Sequence, residues 1–330
     1  MLSAGSATRF QVRKALLIYN PSSGRRREHR VHQVSKALAV IRSAGVEAES
    51  WTTTHRGSAV SQTQEAVAAG FDTVIACGGD GTANEVLNGL MPTGSDAVLG
   101  VLPFGSGNLL ATDLLLPKKA EAAARKLLEY RPRTLQPGLI RYQDKDGPRQ
   151  RYFLFAAGVG SDAELMYRTG IQAKERYGYY AYFLEMLRMT VRPRFSMFRV
   201  EWKDEQGSCH SGEAAMVMGV RVARFPGLLQ RVRLGAELIR NDYRVMLYHT
   251  NQVRHFLNYF ASVCSGLNWK VKQVELVSST WFRCTPLEGK DPASVHCEVD
   301  GELLGTVPVE VSIEPRTFRL LMPEKRHSEA

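Results

Sequence analysis

Thr73-Val74-Ile75-Ala76-Cys77-Gly78-Gly79-Asp80-Gly81-Thr82-Ala83-Asn84-Glu85-Val86 is the stretch from which the fold of this chain is read. Its apolar run Thr73 to Ala76 reads as a buried parallel strand, and Ala83 to Met91 has the spacing of a helix. The glycines therefore fall in a strand-to-helix turn. There they let backbone amides approach a phosphate with no Cβ in the way, and the helix start adds a positive partial charge. Asp80 puts a fixed negative charge at the same point, unfavourable beside bare phosphate unless Mg²⁺ or a substrate hydroxyl intervenes. The combination points to phosphoryl transfer. Taken alone, the same Gly-Gly-Asp-Gly string serves equally well to close a βα connection. A Walker-type GxxxxGK loop and a GxGxxG dinucleotide fingerprint are both absent from the sequence. Cys77 reads as a small buried cysteine ending the strand rather than as a nucleophile.

Outward from this turn, the first ~130 residues alternate strand and helix. Strands are expected at Ala15–Tyr19, Glu47–Thr52, Thr73–Ala76 and Val98–Leu102; helices are expected at Val31–Ala44, Ala59–Ala69, Ala83–Met91 and Lys119–Glu129. Such alternation implies a parallel sheet with helices on both faces, and ligands at the carboxyl ends of its strands. Three polar loops leave those ends: Asn20-Pro21-Ser22-Ser23-Gly24, the glycine turn, and Pro103-Phe104-Gly105-Ser106-Gly107-Asn108. Each is ordinary turn chemistry by itself. Three in successive units suggest a shared pocket.

After Arg133 the texture changes to short apolar or alternating stretches near Tyr152–Ala157, Phe195–Trp202, Ala214–Gly219, Tyr243–His249, Val271–Ser278, Val295–Asp300 and Val307–Glu314. These read as a largely antiparallel β domain with one helical interval, Lys174–Thr190. Tyr177, Tyr179, Tyr180, Tyr182 and Phe183 in that interval either line an apolar ligand cavity or pack as core. The fold class is thus an α/β N-terminal domain over 1–133 and an all-β, sandwich-like C-terminal domain over 134–315.

The chain of 330 residues, 44% hydrophobic, has ample material for two cores. No apolar run approaches the ~20 residues that span a bilayer and no signal-peptide core opens the chain, so a cytoplasmic location is expected. Five widely spaced cysteines form no CxxC pair, which argues against disulfides and structural zinc. The net charge of +10 calls for an anionic partner. Arg25, Arg26, Arg27 and Arg30, with His29 and His32, lack interleaved aromatics; they read as a solvated helix face or as phosphate or lipid head-group contacts, and nucleic acid is set aside.

Asn-Pro-Ser-Ser-Gly at 20–24, the glycine string at 78–90, Pro-Phe-Gly-Ser-Gly-Asn at 103–108, Gly-Val-Gly-Ser-Asp-Ala-Glu at 158–164 and Val-Asp-Gly-Glu at 299–302 together resemble the diacylglycerol kinase and sphingosine kinase catalytic family. The likeness runs over most of the chain, and the bacterial soluble lipid kinases look most similar. It implies an ATP-dependent lipid kinase that moves the γ-phosphate to a hydroxyl of a diacylglycerol-like or sphingoid lipid, with the reaction in a cleft between an ATP domain and a β-rich lipid domain. It also implies that the closing segment, 316–330, packs back on the first domain.

Carried onto this sequence, the resemblance implies that Asn20, Thr53, Gly78, Gly79, Asp80, Gly81, Thr82, Asn84 and Ser106 hold the nucleotide. Glu302 is the favoured general base, with Asp300 and Asp80 orienting the hydroxyl and the Mg²⁺ that ATP brings. Asp300-Gly301 alone reads as a hairpin turn. Asp162 and Asn108 are candidate substrate contacts, Asp162 equally a helix cap before Ala163. Relatives carry acids for a structural Mg²⁺ where this chain has Arg240-Asn241-Asp242-Tyr243-Arg244-Val245, so that ion is expected to be lost, with Arg240 and Arg244 forming salt bridges instead. The basic surface implies peripheral docking on an anionic membrane, where the lipid substrate resides. Rival readings are a kinase of a soluble acceptor, NAD kinase-like, and a catalytically silent lipid- or nucleotide-binding homologue.

Overall fold

The computed structural model describes residues 11–21, 29–161, 163, 195–225, 235–252, 254, 255, 258, 262 and 272–324. Ser22 to Arg27, Asp162 and the aromatic interval Lys174–Thr190 lie outside the described residues.

The first unit runs β1 (Lys14–Tyr19), α1 (Arg30–Ser43), β2 (Glu47–Thr52), α2 (Ser58–Ala68), β3 (Thr73–Gly78), α3 (Asp80–Leu90), β4 (Val98–Pro103), α4 (Leu109–Asp113), α5 (Ala120–Leu128) and β5 (Arg131–Leu135). Leu16, Leu17, Ile18, Val74, Ile75, Val98 and Leu99 are almost fully buried between helices on the two faces. Each such side chain contributes about 1.5–3 kcal/mol by leaving water. That is why these strands read as continuous apolar runs rather than alternating ones. Cys77 belongs to this core, and burial pushes its thiol up, away from nucleophilic use.

The sheet order is β2-β1-β3-β4, then a closing strand β17 (Phe318–Met322), then β5. β17 lies parallel to β4, with Arg319 opposite Val98, and antiparallel to β5, with Phe318 opposite Leu135. Chain order reverses between β1 and β3, the place where open α/β sheets gather ligands. Pairing of Tyr19 with Thr52 and Cys77, and of Gly78 with Pro103, brings the loops after these strands to one edge.

The second unit comprises β6 (Gly138–Asp144), β7 (Gly147–Phe153), β8 (Ala156–Gly160), β9 (Phe198–Lys203), β10 (Cys209–Ala214), β11 (Met216–Val220), β12 (Tyr243–Tyr248), β13 (Val274–Ser279), β14 (Trp281–Pro286), β15 (His296–Val299) and β16 (Glu302–Ile313). These strands form one antiparallel sheet among the described residues, curled as a half-barrel around Phe153, Phe198, Tyr243 and Phe282. Five strands were not expected, β5, β6, β10, β14 and β17, and the one stretch read at Tyr152–Ala157 covers the end of β7 and the start of β8. β10, Cys-His-Ser-Gly-Glu-Ala, is mostly exposed at the sheet edge, so no apolar alternation marks it.

Candidate active site

The glycine string is tighter than a loop. β3 runs through Gly78 and α3 already begins at Asp80, three residues ahead of the sequence expectation, leaving Gly79 as the turn. Amides of Thr82 and Ala83 both donate to Gly79 O, at 3.1 and 3.3 Å. A Cβ on Gly78 would run into Thr82 Oγ1, so the buried Thr82 side chain needs that glycine.

Gly105 presses on the same turn, since a Cβ there would collide with the Cα of Gly79. Asn108, at φ 54°, closes its own loop: its Oδ1 accepts from Gly105 N at 2.8 Å and its Nδ2 donates to Gly105 O at 2.7 Å. Asp80 fastens the two loops together, its carboxylate accepting the amides of Leu109 at 3.0 Å and Leu110 at 3.1 Å. Ser106 stands exposed at the loop tip. Thr53 N donates to Tyr19 O at 2.9 Å, which sets Thr53 and Asn20 on the edge shared with Gly79.

From the other unit, the hairpin between β15 and β16 delivers two carboxylates. Val299 pairs with Glu302, and Asp300 and Gly301 make the turn at φ 49° and 81°. Both sequence readings of Asp300-Gly301 therefore describe one object: the hairpin turn is what carries the acids to the junction. Glu302 reaches across so that its Oε1 fills the space where a Cβ on Gly81 would stand. Its Oε2 accepts from Arg151 Nη2 at 2.8 Å and from Arg56 Nη2 at 3.3 Å.

Asp300 sits deeper. Its Oδ1 accepts the amides of Phe155 at 2.9 Å and Ala156 at 3.0 Å, and its Oδ2 those of Leu154 at 2.7 Å and Asn84 Nδ2 at 2.8 Å. Burial raises its pKa to about 6, against the pull of these N–H donors.

Three residues assigned from the sequence have protein partners for their side chains. Asn84, expected on the nucleotide, is fully buried, with Nδ2 on Asp300 and Oδ1 accepting Arg151 Nε at 2.8 Å; it bolts the two units together. Asp300, expected to orient hydroxyl and Mg²⁺, is buried and its two oxygens take four protein N–H donors in the same bolt, whereas Asp80 is partly exposed and takes the amides of Leu109 and Leu110. Asn108, a candidate substrate contact, spends its amide on Gly105.

Four residues were missed. Asn88, one turn after Asn84 on the same face of α3, accepts Tyr152 N at 3.0 Å and donates to Tyr152 O at 2.9 Å. Glu85 accepts the amides of Gly57 at 2.8 Å and Ala59 at 3.2 Å, capping α2. Arg56 and Arg151 clamp Glu302. The Asn-x-x-x-Asn spacing at 84–88 was the one available signal; nothing local marks the two arginines.

Residues 14–140 match the family model of the diacylglycerol kinase catalytic domain. The match spans the α/β unit from β1 to β5 and enters β6. It is 27% identical over 315 residues to a diacylglycerol kinase of Bacillus subtilis (strain 168), spanning 96% of this chain and 98% of that one. A diacylglycerol kinase of Staphylococcus aureus (strain MRSA252) is 29% identical over 204 residues, 62% of this chain and 61% of its own. The same fold occurs in a diacylglycerol kinase structure from Bacillus anthracis str. Sterne, at a TM-score of 0.68 and 20% identity, with 96% and 99% of the chains covered. A second structure from that organism gives a TM-score of 0.72 at 19% identity, with 97% and 98% covered. The protein is a kinase acting on an alcohol group, of the lipid-kinase kind. Among the described residues, no helix is long and apolar enough to cross a membrane.

In this kinase the stretch that the resemblance aligned with a structural Mg²⁺ does not suit that ion. Arg240 forks onto Asp242, Nε to Oδ1 at 2.8 Å and Nη2 to Oδ2 at 2.6 Å, and Arg244 Nη1 donates to Ser278 Oγ at 2.6 Å. Nearby, the buried Arg221 donates to the carbonyls of Gln136 at 2.6 Å, Leu238 at 3.1 Å and Arg240 at 2.7 Å. Carbonyl oxygens are the hard ligands a divalent ion would take, and here a guanidinium takes them.

Proposed function

We propose that this kinase transfers the γ-phosphate of ATP to a hydroxyl of a diacylglycerol-like or sphingoid lipid, with Glu302 as the base. The observation that carries the reading is Glu302 seated on Gly81: an acid from the β-rich unit meets the glycine turn from the α/β unit. Asn20, Thr53, Gly78 to Thr82 and Ser106 are the groups on the shared edge for the triphosphate, whose negative charge suits the positive N-terminal end of α3.

An alcohol has too high a pKa to attack unaided, so a carboxylate that accepts its proton as the O–P bond forms lowers the barrier. The bond from Pγ to the bridging oxygen breaks at the same time, and ADP leaves with that electron pair. Asp80, held at the turn by two amides, offers the hard oxygen donors that Mg²⁺ takes and would hold the ion that accompanies ATP. Mg²⁺ supplies charge neutralisation on the phosphates. Asn84, Asp300 and Arg151 act by fixing the distance between the two units. The net charge of +10 favours docking on an anionic membrane that presents the lipid.

The test is an incubation with mass-shifted ATP and mixed total lipid. Label in an organic-extractable diacylglycerol or sphingoid product supports the reading; label only in water-soluble products, or none, defeats it.

A further inference from the structure

Glu302 is an odd base as it stands, because two cations hold it. Arg151 and Arg56 both donate to Oε2, so the cluster is one carboxylate with two guanidiniums. Its Oε2 is thereby taken up by N–H donors rather than open to a substrate hydroxyl. The two arginines differ in how they are held. Arg151 is tied at both ends, Nη2 to Glu302 and Nε to Asn84 Oδ1, and its side chain is 20% exposed. Arg56 is 61% exposed and, among the described residues, its contact is Glu302 at the long distance of 3.3 Å.

The backbone under Arg56 is nevertheless anchored. Gly57 N donates to Glu85 Oε1, so the loop after β2 is fixed to α3 beside the glycine turn. The Arg56 side chain thus leaves a rigid base, is largely exposed, and reaches Glu302 where that carboxylate lies against Gly81 of the glycine turn. Phosphoryl transfer needs cations on the transferred group, and the sequence has no Walker-type lysine to supply one. An exposed ion pair is weak, so a triphosphate, with several charges against the carboxylate's one, outbids Glu302 for it.

We propose that Arg56 is the γ-phosphate clamp of this kinase: it rests on Glu302, moves to the γ-phosphate when ATP binds, and by leaving frees Glu302 to accept the substrate proton. Arg151 stays and positions the carboxylate. The base is thereby switched on by ATP and not by ADP, whose phosphates stop one short. This rests on the γ-phosphate reading above.

The test is nucleotide binding by the full chain with Mg²⁺ and no lipid, followed by displacement of a fluorescent nucleotide. Arg56→Gln is expected to weaken ATP by about tenfold, equivalent to about 1.4 kcal/mol, and to leave ADP unchanged. Glu302→Gln removes the competing carboxylate and is expected to tighten ATP, with the Arg56→Gln loss persisting in the double variant. Equal loss of ATP and ADP, no loss of either, or disappearance of the Arg56 effect in the Glu302→Gln background would each overturn the clamp. A wild-type chain that binds ADP as tightly as ATP also overturns it. A wild-type chain that binds neither nucleotide defeats the kinase reading itself, and the clamp with it.

Discussion

The Oε1 of Glu302 occupies the position that a side chain on Gly81 would need, so an acid of one unit and a glycine of the other are made for each other. Gly81 is the second residue of α3, where glycine costs up to about 0.5–1 kcal/mol relative to alanine, the value for a helix middle. The glycine is kept at that cost because the carboxylate must come close. Gly81→Ala is therefore expected to leave stability unchanged or slightly raised while displacing Glu302, with kcat falling on the order of 10²-fold. Thermal midpoint and phosphorylation rate, measured side by side, check this; a variant equally active would mean the close approach is incidental.

Asp300→Ala removes the acceptor of Leu154 N, Phe155 N, Ala156 N and Asn84 Nδ2 at once, in a buried place. Orphaned buried donors cost about 1–3 kcal/mol each, so a loss of at least ~3 kcal/mol is expected from urea unfolding. A loss under ~1 kcal/mol would show that water replaces the carboxylate and that the bolt is dispensable.

The same carboxyl gives a pH signature. Its folded pKa, about 6, lies above the ordinary carboxylate value of about 3.9. The folded state thus binds the proton more tightly, and Asp300's contribution is complete below about pH 4 and lost as pH rises through 6. Relative to Asp300→Asn, the wild-type unfolding midpoint should gain as pH falls from 7 to 4.5. Carbonyl-carbon NMR of Asp300 should show a titration near 6; a midpoint near 4 would contradict the dominance of burial.

The three carbonyls taken by the Arg221 guanidinium predict indifference to chelation. Excess EDTA should leave the thermal midpoint of the wild type where it was, whereas Arg221→Met, which strips three carbonyls of their donor, should cost about 2–4 kcal/mol. A midpoint lowered by EDTA and restored by Mg²⁺ would show a structural ion after all.

Much of this molecule was legible because its signals are local and periodic. Glu47–Thr52 was placed to the residue, and α1, α2 and α5 to within one at each end, since apolar spacing fixes them, whereas the five-residue α4 was not read at all. The start of α3 was misjudged because glycines look like loop, whereas Gly79 alone turns the chain and Asp80 already caps the next helix. The junction was largely illegible. Arg151 sits in the strand Gly-Pro-Arg-Gln-Arg-Tyr-Phe beside Arg149, and only pairing across units, through Asn84 and Glu302, separates the one that matters from the one that does not. Asp300 was found by motif, but its partners Asn84, Leu154, Phe155 and Ala156 were not legible, since a hairpin turn does not disclose which of its two acids faces inward.

The most direct test of the central claim is transfer of labelled γ-phosphate to organic-extractable lipid by Glu302→Gln, in protein that still folds and still binds ATP. Loss of transfer by three orders of magnitude or more, on the scale of a removed general base, is the expected result. Transfer within about tenfold of wild type would contradict the assignment of Glu302 as the group that takes the proton.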